Sequence, residues 1–437
     1  MPRHAKISLP RNLRALAHGN FQLFFAGQLI SLIGTWMQTV AQSWLVYRLT
    51  GSALLLGSVG FASQIPVFVL APLGGSLADR HRRHRIIIGT QTSSMVLAFI
   101  LAALTLSHTV QVWQIFVLAS LLGLVNAFDI PARQAFLVEM VGKEDLMNAI
   151  ALNSSMFNSA RVIGPAVAGV MVAKIGEGWC FFGNGLSYIA VIAGLLMMKV
   201  STPRHAEKRG SALEDIVEGI KYAQRTRPIR ALLLLLGLVS LMGQPYAVLM
   251  PIFADKILHG GARALGILMG AAGVGALVGA LILTMKRTVR GLGTWVAISA
   301  AGFGAALIAF SFSRTFWLSV ALLAPAGLFV MLEMGCSNTL IQSMIPDNLR
   351  GRVMALYSMM FMGMAPFGAL LGGALAHWLS APVAVALGGI FCIGGAGAFA
   401  LYLPKMRPRA RELLREQGMI PSEPPPNRVV PGLPEPR

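Results

Sequence analysis

The sequence predicts an all-α polytopic membrane protein, with twelve transmembrane helices arranged as two parallel six-helix repeats. Three observations predict this fold class. Of the 437 residues, 55% are hydrophobic and only 12% are charged, whereas soluble domains have about 45–50% apolar and about 25% charged residues. Twelve apolar runs are each long enough to cross a bilayer, which takes roughly 20 residues. The last six runs also repeat features of the first six.

A polar stretch separates the two groups of apolar runs. The runs lie near residues 20–47, 53–77, 85–107, 109–131, 146–173 and 178–199, and then near 229–254, 262–285, 291–312, 315–338, 350–376 and 382–404. We therefore expect an N-terminal six-helix half at 1–200, a central cytoplasmic loop at 201–228, a C-terminal half at 229–405 and a cytoplasmic tail at 406–437. The tail is basic and then rich in proline, which is typical of disordered segments.

The central loop contains the pattern of one short helix. Ser211 and Glu214 have the spacing of a capping box, in which each side chain bonds to the backbone at the helix start. Apolar residues then recur at helical spacing, at Leu213, Ile216, Val217 and Ile220. This predicts an amphipathic helix on the bundle or on the lipid surface, with a solvated linker helix as the alternative.

The two halves are related by an internal repeat with a fixed offset of 204 residues. The matching pairs are Asp129 with Glu333, Ala151 with Ala355, Phe157 with Phe361, Gly164 with Gly368, and Gly169 with Gly373. Because six spans separate the members of each pair, the two halves have the same topology. Parallel repeats of this kind build one large transporter fold, in which the substrate site lies near the midplane between the halves.

The basic residues indicate topology better than they indicate nucleic-acid binding. There are 36 Lys and Arg against 17 Asp and Glu, a formal net charge of +19. Most of the basic residues, about 30, lie in the loops on the side that carries both chain ends. Cytoplasmic loops carry this excess in membrane proteins, so both termini are expected in the cytoplasm. The basic start lacks an apolar core with a small-residue cleavage site, so no cleaved signal peptide is expected.

The motifs of enzymes and metal sites do not occur in this sequence. There is no phosphate-binding loop of the G-x-x-x-x-G-K-[ST] type, no H-E-x-x-H and no G-x-S-x-G. The three cysteines, Cys180, Cys336 and Cys392, are too widely spaced for a zinc pattern or a disulfide framework. We therefore predict a protein that is not an enzyme and has no cofactor and no metal.

The loop between the second and third spans carries a motif. It contains Gly75, Asp79, Arg80 and Arg83 between two apolar runs. This stretch resembles the signature loop of the major facilitator superfamily, although Arg82 replaces one glycine of that signature. The resemblance implies the major facilitator fold and a charged latch that closes the cytoplasmic gate. A purely topogenic basic loop is the alternative, and it explains the arginines but not the glycine and the aspartate.

Longer stretches narrow the resemblance to one branch. The segments 31–38, 126–134, 148–153, 158–165 and 218–222 look like the enterobactin-exporter-like branch, over about residues 15–405. The branch implies a proton-driven exporter of small organic molecules. Members often carry an acid just after Gly34, where this chain has Thr35, so proton coupling through the first helix lacks its usual candidate.

The fifth span also resembles the antiporter motif of the superfamily. Gly164, Pro165 and Gly169 favour a bend and close helix packing, and Gly368 is their counterpart in the eleventh span. We expect these residues to form a hinge between two states. Ordinary close packing is the alternative.

Charged residues inside the apolar runs are few, and such residues are usually paired or line a cavity. Asp129 and Glu333 occupy equivalent places in the two halves. Either both are latch residues, Asp129 with Arg80, Arg83 or Arg133 and Glu333 with Arg287, Arg350 or Arg352, or Glu333 is the proton-binding carboxyl. Arg161 either holds an anionic group of a substrate or bonds to the backbone and Asn158.

Polar residues in the cavity-forming helices are the candidates for substrate contacts. Superfamily cavities are lined mainly by helices one, four, seven and ten, and on that analogy the candidates are Gln38, Gln42, Gln244 and Tyr246, beside Arg161. Hydrogen bonding between helices is the alternative role for each.

These observations lead to one main hypothesis with two alternatives. The main hypothesis is a secondary active transporter of the inner membrane that exports drug- or siderophore-like molecules by proton antiport and rocker-switch alternating access. Its partners are a small-molecule substrate, protons and the lipid bilayer, with no nucleic acid, and by superfamily analogy it acts as a monomer. The alternatives are a facilitator or importer without antiport, and a non-transporting scaffold or receptor.

Overall fold

In the part of the chain that the structure describes, a 3-10 helix at Arg11–Ala17 precedes twelve long helices, and one short α-helix lies between the sixth and the seventh of these. A computed structural model of the chain describes residues 11–198, 212–286, 288–289 and 291–419. The spanning helices of the first half are α1 Gly19–Thr50, α2 Ala53–Arg80, α3 Arg83–Leu106, α4 Val112–Val141, α5 Leu146–Ile175 and α6 Glu177–Met197. The short helix is α7 Ala212–Arg225. The spanning helices of the second half are α8 Arg227–Ile257, α9 Gly261–Met285, α10 Leu292–Phe312, α11 Phe316–Met344, α12 Asp347–Trp378 and α13 Ala381–Glu416.

The number and order of these helices confirm the predicted fold class. All twelve are long and apolar enough to cross a membrane, and no β-strand occurs within the described ranges. Because twelve is even, both ends of the chain lie on one side, called here the termini side. Several predictions fall outside the described residues: Ser211, Arg287, Arg290, residues 1–10 and the tail beyond residue 419.

Short turns join the helices because single residues end one helix and start the next. Gly51 ends α1 with a left-handed φ of 60°, and its N–H donates to the carbonyl of Tyr47. Glycine adopts this conformation without steric cost. The hydroxyl of Ser52 then accepts a hydrogen bond from the N–H of Leu55 and caps α2. This two-residue connection forces α1 and α2 to run antiparallel.

Each half is a bundle with its own packing. In the first half α1 packs on α5 and α6, and α4 packs on α2 and α3. In the second half α9 and α10 pack on α11, and α10 packs on α13. The halves meet mainly through two helix pairs, α2 with α12 and α5 with α9.

Glycines allow the close approach of these two helix pairs. A Cβ atom added to Gly57 of α2 would lie 2.9 Å from Cα of Gly373 on α12. A Cβ atom added to Gly169 of α5 would likewise lie 2.9 Å from Cα of Gly266 on α9. All four glycines lie toward the helix ends away from the termini side. We call these two contacts the glycine seam, and it joins the halves on the side opposite the termini.

Two helices of the second half are interrupted. In α8 a π-helical turn spans Val239–Gly243 and another spans Phe253–Ile257, with Pro245 just after the first. Proline has no N–H to donate, and a π turn absorbs an extra residue. In α12 the regular helix stops at Phe361 and resumes at Met364.

The short helix α7 lies against the second half. It packs on α12 and α8, with Gly219 and Ala223 buried and Val217 and Ile220 exposed. The predicted amphipathic stretch is therefore a helix whose small residues face the protein, while two of its larger apolar residues face outward.

Candidate functional site

A cavity of about 2090 Å³ lies between the two halves. At the termini side its rim is exposed and includes Asp79 and Arg80 from α2 and Gly351 from α12. We call this rim the mouth. At the other end the wall residues Val46 and Leu56 are buried. The cavity is thus open toward the termini side and closed at the glycine seam.

The wall combines aromatic and neutral polar groups. Trp36, Phe68 and Phe157 contribute rings to it. Its neutral polar side chains include Thr35, Gln38, Gln42, Ser63, Gln64 and Asn126. Ligand sites commonly have this composition, in which apolar surface supplies contact area and a few polar groups fix orientation.

Two of the predicted substrate contacts lie on this wall. Gln38 is buried, and its Oε1 accepts a hydrogen bond of 2.7 Å from the side-chain amide of Asn184. This bond fixes the orientation of the Gln38 amide group, including the two N–H donors of Gln38. Gln42 lies one helical turn further along α1 and is half-buried.

The structure does not bring Gln244 and Tyr246 to the cavity wall. Both follow the π turn in α8, which rotates the residues after it around the helix axis. Tyr246 is buried in the second half, with its ring edge-on to Phe303 at a centroid distance of 6.0 Å. The analogy with superfamily cavities assumes regular helices, and α8 is not regular here.

Arg161 lies half-buried in the middle of α5. Its guanidinium carbon is 5.8 Å from the ring centroid of Trp36. This is a cation–π geometry, since a guanidinium within about 6 Å of an aromatic centroid is attracted by the ring. Arg161 is not itself a wall residue, but the ring on which it lies is one.

The motif residues gather at the mouth. Gly75, Asp79 and Arg80 line the cavity there. Arg83 bridges three helices: it donates to Asp79 at 3.2 Å, to Glu139 of α4 at 2.8 Å and to the carbonyl of Ala78 at 3.2 Å. Because these contacts stay within the first half, they fix the ends of α2, α3 and α4 relative to one another.

Asp129 is buried within a complete set of partners. Its Oδ2 pairs with Arg133 at 3.0 Å. Its Oδ1 accepts hydrogen bonds from Thr90 at 2.8 Å and from Gln91 at 2.9 Å. Of the three arginines considered for Asp129, Arg133 is the one that the structure brings to it.

Glu333 occupies the equivalent place in the second half but has a different environment. It is fully buried and does not line the cavity. Its Oε1 accepts one hydrogen bond from Ser337 at 3.2 Å, and its Oε2 has no hydrogen-bond partner among the described residues. Ser337 stands where the repeat has Arg133 in the first half. Among the described residues no arginine pairs with Glu333, and Arg287 lies outside them.

The predicted hinge residues lie at helix contacts. Gly164 packs against Trp36 and against the carbonyl of Ile33 on α1, and Pro165 lies beside Gly266 of α9. Gly169 belongs to the glycine seam. Gly368 packs where α8 is interrupted, and a Cβ atom added to it would lie 2.6 Å from the carbonyl oxygen of Leu241.

Comparison with known families identifies the architecture. Residues 11–423 match the major facilitator family described as transmembrane secretion effector. The match spans nearly the whole chain, including both six-helix halves. This chain belongs to the major facilitator superfamily. It is a membrane transporter and not an enzyme, as the motifs predict.

Several named transporters are similar to this chain. The staphyloferrin A transporter of Staphylococcus aureus is 29% identical over 80% of this chain and 87% of its own length. The multidrug efflux pump Tap of Mycolicibacterium fortuitum is 26% identical over 89% of this chain and 97% of its own length. The enterobactin exporter EntS of Citrobacter koseri is 27% identical over 82% of this chain and 85% of its own length. The expected resemblance to enterobactin exporters is thus confirmed.

Solved structures show the same fold. The nucleoside transporter NupG superposes with a TM-score of 0.69 at 14% identity, covering 90% of this chain and 99% of its own. A bacterial homologue of the lysosomal transporter Spinster superposes with a TM-score of 0.68 at 12% identity, covering 94% of this chain and 99% of its own.

Two polar contacts of this transporter are not indicated by any motif in the sequence. The hydroxyl of Tyr47 at the end of α1 donates to Asp255 of α8 at 3.3 Å, joining the halves on the side opposite the termini. At the mouth, Glu218 of α7 pairs with Arg352 of α12 at 2.5 Å. Only the pairing of α1 with α8 and of α7 with α12 in space reveals these contacts.

Proposed function

We propose that this protein is a secondary active exporter of small organic molecules that works by proton antiport. The observation that carries the proposal is the cavity between the two halves, open on the termini side and closed by the glycine seam. A site between two repeats is exposed to one side at a time if the halves rock against each other. The open mouth and the closed seam correspond to one of the two end states of that cycle.

The relatives support a range of substrates. Their names state staphyloferrin A, enterobactin, macrolides and multiple drugs. The cavity is large enough for molecules of that kind, since ligand pockets for drug-sized molecules measure about 300–1,000 Å³. We therefore assign siderophore-like or drug-like molecules as the substrate class.

Glu333 is the coupling residue in this proposal. A carboxylate in a dry interior is costly unless it is paired and hydrogen-bonded, and here a serine replaces the arginine that serves Asp129. Its ionisable neighbours are Cys336 on its own helix, Tyr357 on α12 and Cys392 on α13. Lys286 at the end of α9 interacts with Cys336, and its ammonium lies over the ring of Trp295. If Glu333 takes up a proton in one state and releases it in the other, the proton gradient across the membrane is coupled to the rocking of the halves.

The motif residues are the gate in this proposal. Asp79 and Arg80 stand at the mouth opposite Gly351 and Arg352 of the second half. Closing the mouth would bring these two rims together. The Arg83 network and the Asp129–Arg133 pair would keep the first-half rim rigid during that closure.

We place the protein in the cytoplasmic membrane with both termini in the cytoplasm. The excess of Lys and Arg on the termini side supports this orientation. The mouth then faces the cytoplasm, which is where an exporter loads its substrate. One chain contains the whole cavity, so a monomer is sufficient for transport.

A facilitator without proton coupling is the second candidate function. The observation that favours it lies in α1, where the hydroxyl of Thr35 donates to the backbone carbonyl of Ser31 at 2.9 Å. That position carries no carboxyl to bind a proton.

The test uses purified protein in liposomes that contain a pH-sensitive dye. Enterobactin and ethidium serve as probes, with and without an imposed pH gradient. Antiport predicts proton movement that depends on the probe and that Glu333→Gln abolishes while probe binding persists. Glu144→Gln, which changes an exposed acid in the loop between α4 and α5, is the matched control and should keep normal coupling.

Two outcomes would contradict the antiport proposal. Probe uptake without proton movement would favour the facilitator. Normal proton exchange in Glu333→Gln would show that another group carries the proton.

A further inference from the structure

Arg161 is placed beside the cavity and has no acidic partner among the described residues. Its guanidinium lies over the ring of Trp36, 5.8 Å from the centroid. Phe157 lies one helical turn before Arg161 on α5, so both side chains are on one face of the helix. The rings of Trp36 and Phe157 meet edge to face at 5.7 Å, and both line the cavity.

Two buried acids of the first half are already paired with other groups. Asp129 is sealed by Arg133 and two hydrogen bonds, and Glu177 pairs with Arg48 at 2.7 Å. The acids that line the cavity, Asp79 and Glu218, stand at the mouth. No lining residue in the membrane-embedded part of the cavity, all of which the structure describes, carries a carboxylate.

This distribution of charge has a direct electrostatic consequence. A cation at membrane depth normally pairs with an acid or lines a polar path. In a region of low dielectric its attraction for an anion is much stronger than in water. A cationic substrate would instead find a guanidinium nearby and no carboxylate to pair with.

We propose that the transported molecule is an organic anion whose acidic group is held by Arg161. The guanidinium presents a planar set of N–H donors that matches a carboxylate or a similar oxyanion. The apolar part of the molecule lies against Trp36 and Phe157, and its hydroxyl or carbonyl groups bond to Gln38 and Gln42. This inference rests on the proposed transport function and narrows its substrate class.

Binding of three matched probes to the purified protein tests the sign of the charge. The probes are naphthalene-2-carboxylate, naphthalene-2-carboxamide and 2-naphthylmethylammonium, which share one ring system and differ in charge. Isothermal titration at pH 7 without a membrane gradient measures each affinity. The carboxylate should bind about tenfold or more tightly than the other two, because a hydrogen bond to a charged group is the stronger kind.

Variants then assign the preference to Arg161. Arg161→Gln should bind all three probes alike, and Arg161→Lys should keep part of the preference because it keeps the charge. Arg230→Gln, which removes an exposed arginine at the termini side, is the matched control and should retain the full preference. The wild-type comparison is valid even if a variant folds poorly.

The result also separates this inference from the proposed function. A preference for the ammonium probe, equal binding of the three, or a carboxylate preference that survives in Arg161→Gln would overturn the inference and leave proton antiport intact. A preference that depends on Arg161, with no proton movement in the liposome experiment, would support the inference and contradict antiport.

Discussion

At the residue scale, two acids at equivalent positions of the two halves have different environments. Asp129 receives an arginine, a hydroxyl and an amide, whereas Glu333 receives one hydroxyl. A buried carboxylate that keeps its cation has a structural role, because it also accepts the hydrogen bonds from Thr90 and Gln91 that fix α4 against α3. A buried carboxyl without a cation is free to change its protonation state, and that freedom suits a coupling residue.

The Asp129–Arg133 pair should be important for stability. Arg133→Ala leaves a buried carboxylate without its cation, which typically costs about 3–5 kcal/mol. We expect a loss of that size in the free energy of unfolding, measured by denaturant titration in mixed micelles. Arg350→Ala is the matched control, because its pair with Asp347 is exposed and should contribute less than about 1 kcal/mol. Equal losses in the two variants would contradict the structural role of Asp129.

The sequence predicted some of these residue environments and not others. Arg133 follows Asp129 by four positions on one helix, so this pair could be expected from helical spacing. The isolation of Glu333 could not, because it depends on what α12 and α13 bring to α11. The contact of Arg161 with the ring of Trp36 also depends on the packing of α1 on α5.

At the element scale, the interruptions in α8 explain why the cavity contacts were harder to predict than the helices. Apolar runs set the twelve helices because a span needs a minimum length, and that information is local. The face that a residue presents depends on an unbroken period of 3.6 residues. The π turn at Val239–Gly243 breaks that period, and neither Gln244 nor Tyr246 after it lines the cavity.

The glycine seam makes a prediction about alternating access. Gly266→Val overpacks the α5–α9 contact, which typically costs about 1–3 kcal/mol. If that cost falls on the closed seam, the equilibrium shifts about 5- to 150-fold toward the state open on the opposite side. The rate at which an impermeant maleimide labels Ser43→Cys from that side should rise accordingly.

A second valine variant supplies the control for the seam. A Cβ atom added to Gly394 of α13 meets nothing within 4 Å, so Gly394→Val should leave the labelling rate of Ser43→Cys unchanged. If both variants label at the wild-type rate, the α5–α9 contact does not hold the seam closed.

At the scale of the whole molecule, the two halves differ in how they meet on the two sides. On the side opposite the termini they touch through glycine backbones and through Tyr47 and Asp255. On the termini side the cavity separates α2 from the start of α12. Because of this asymmetry, we expect the cavity to be accessible from the face of the membrane on the termini side.

Cysteine labelling in whole cells should detect that access. The native cysteines are buried, so an introduced thiol is the reactive one. Ser63→Cys on the cavity wall should be protected from an impermeant maleimide in intact cells and labelled after permeabilisation. Trp113→Cys, an exposed position at the start of α4 on the opposite side, should label in intact cells. The reverse pattern would invert the proposed orientation.

The glycine seam links this transporter to the mechanics of its bilayer. If the halves rock as proposed, opening the seam widens the protein within one leaflet and narrows it within the other. Lateral pressure in each leaflet therefore performs work on the conformational change. Because the glycine contacts join uncharged backbones, lipid packing and membrane tension should alter the opening of the seam.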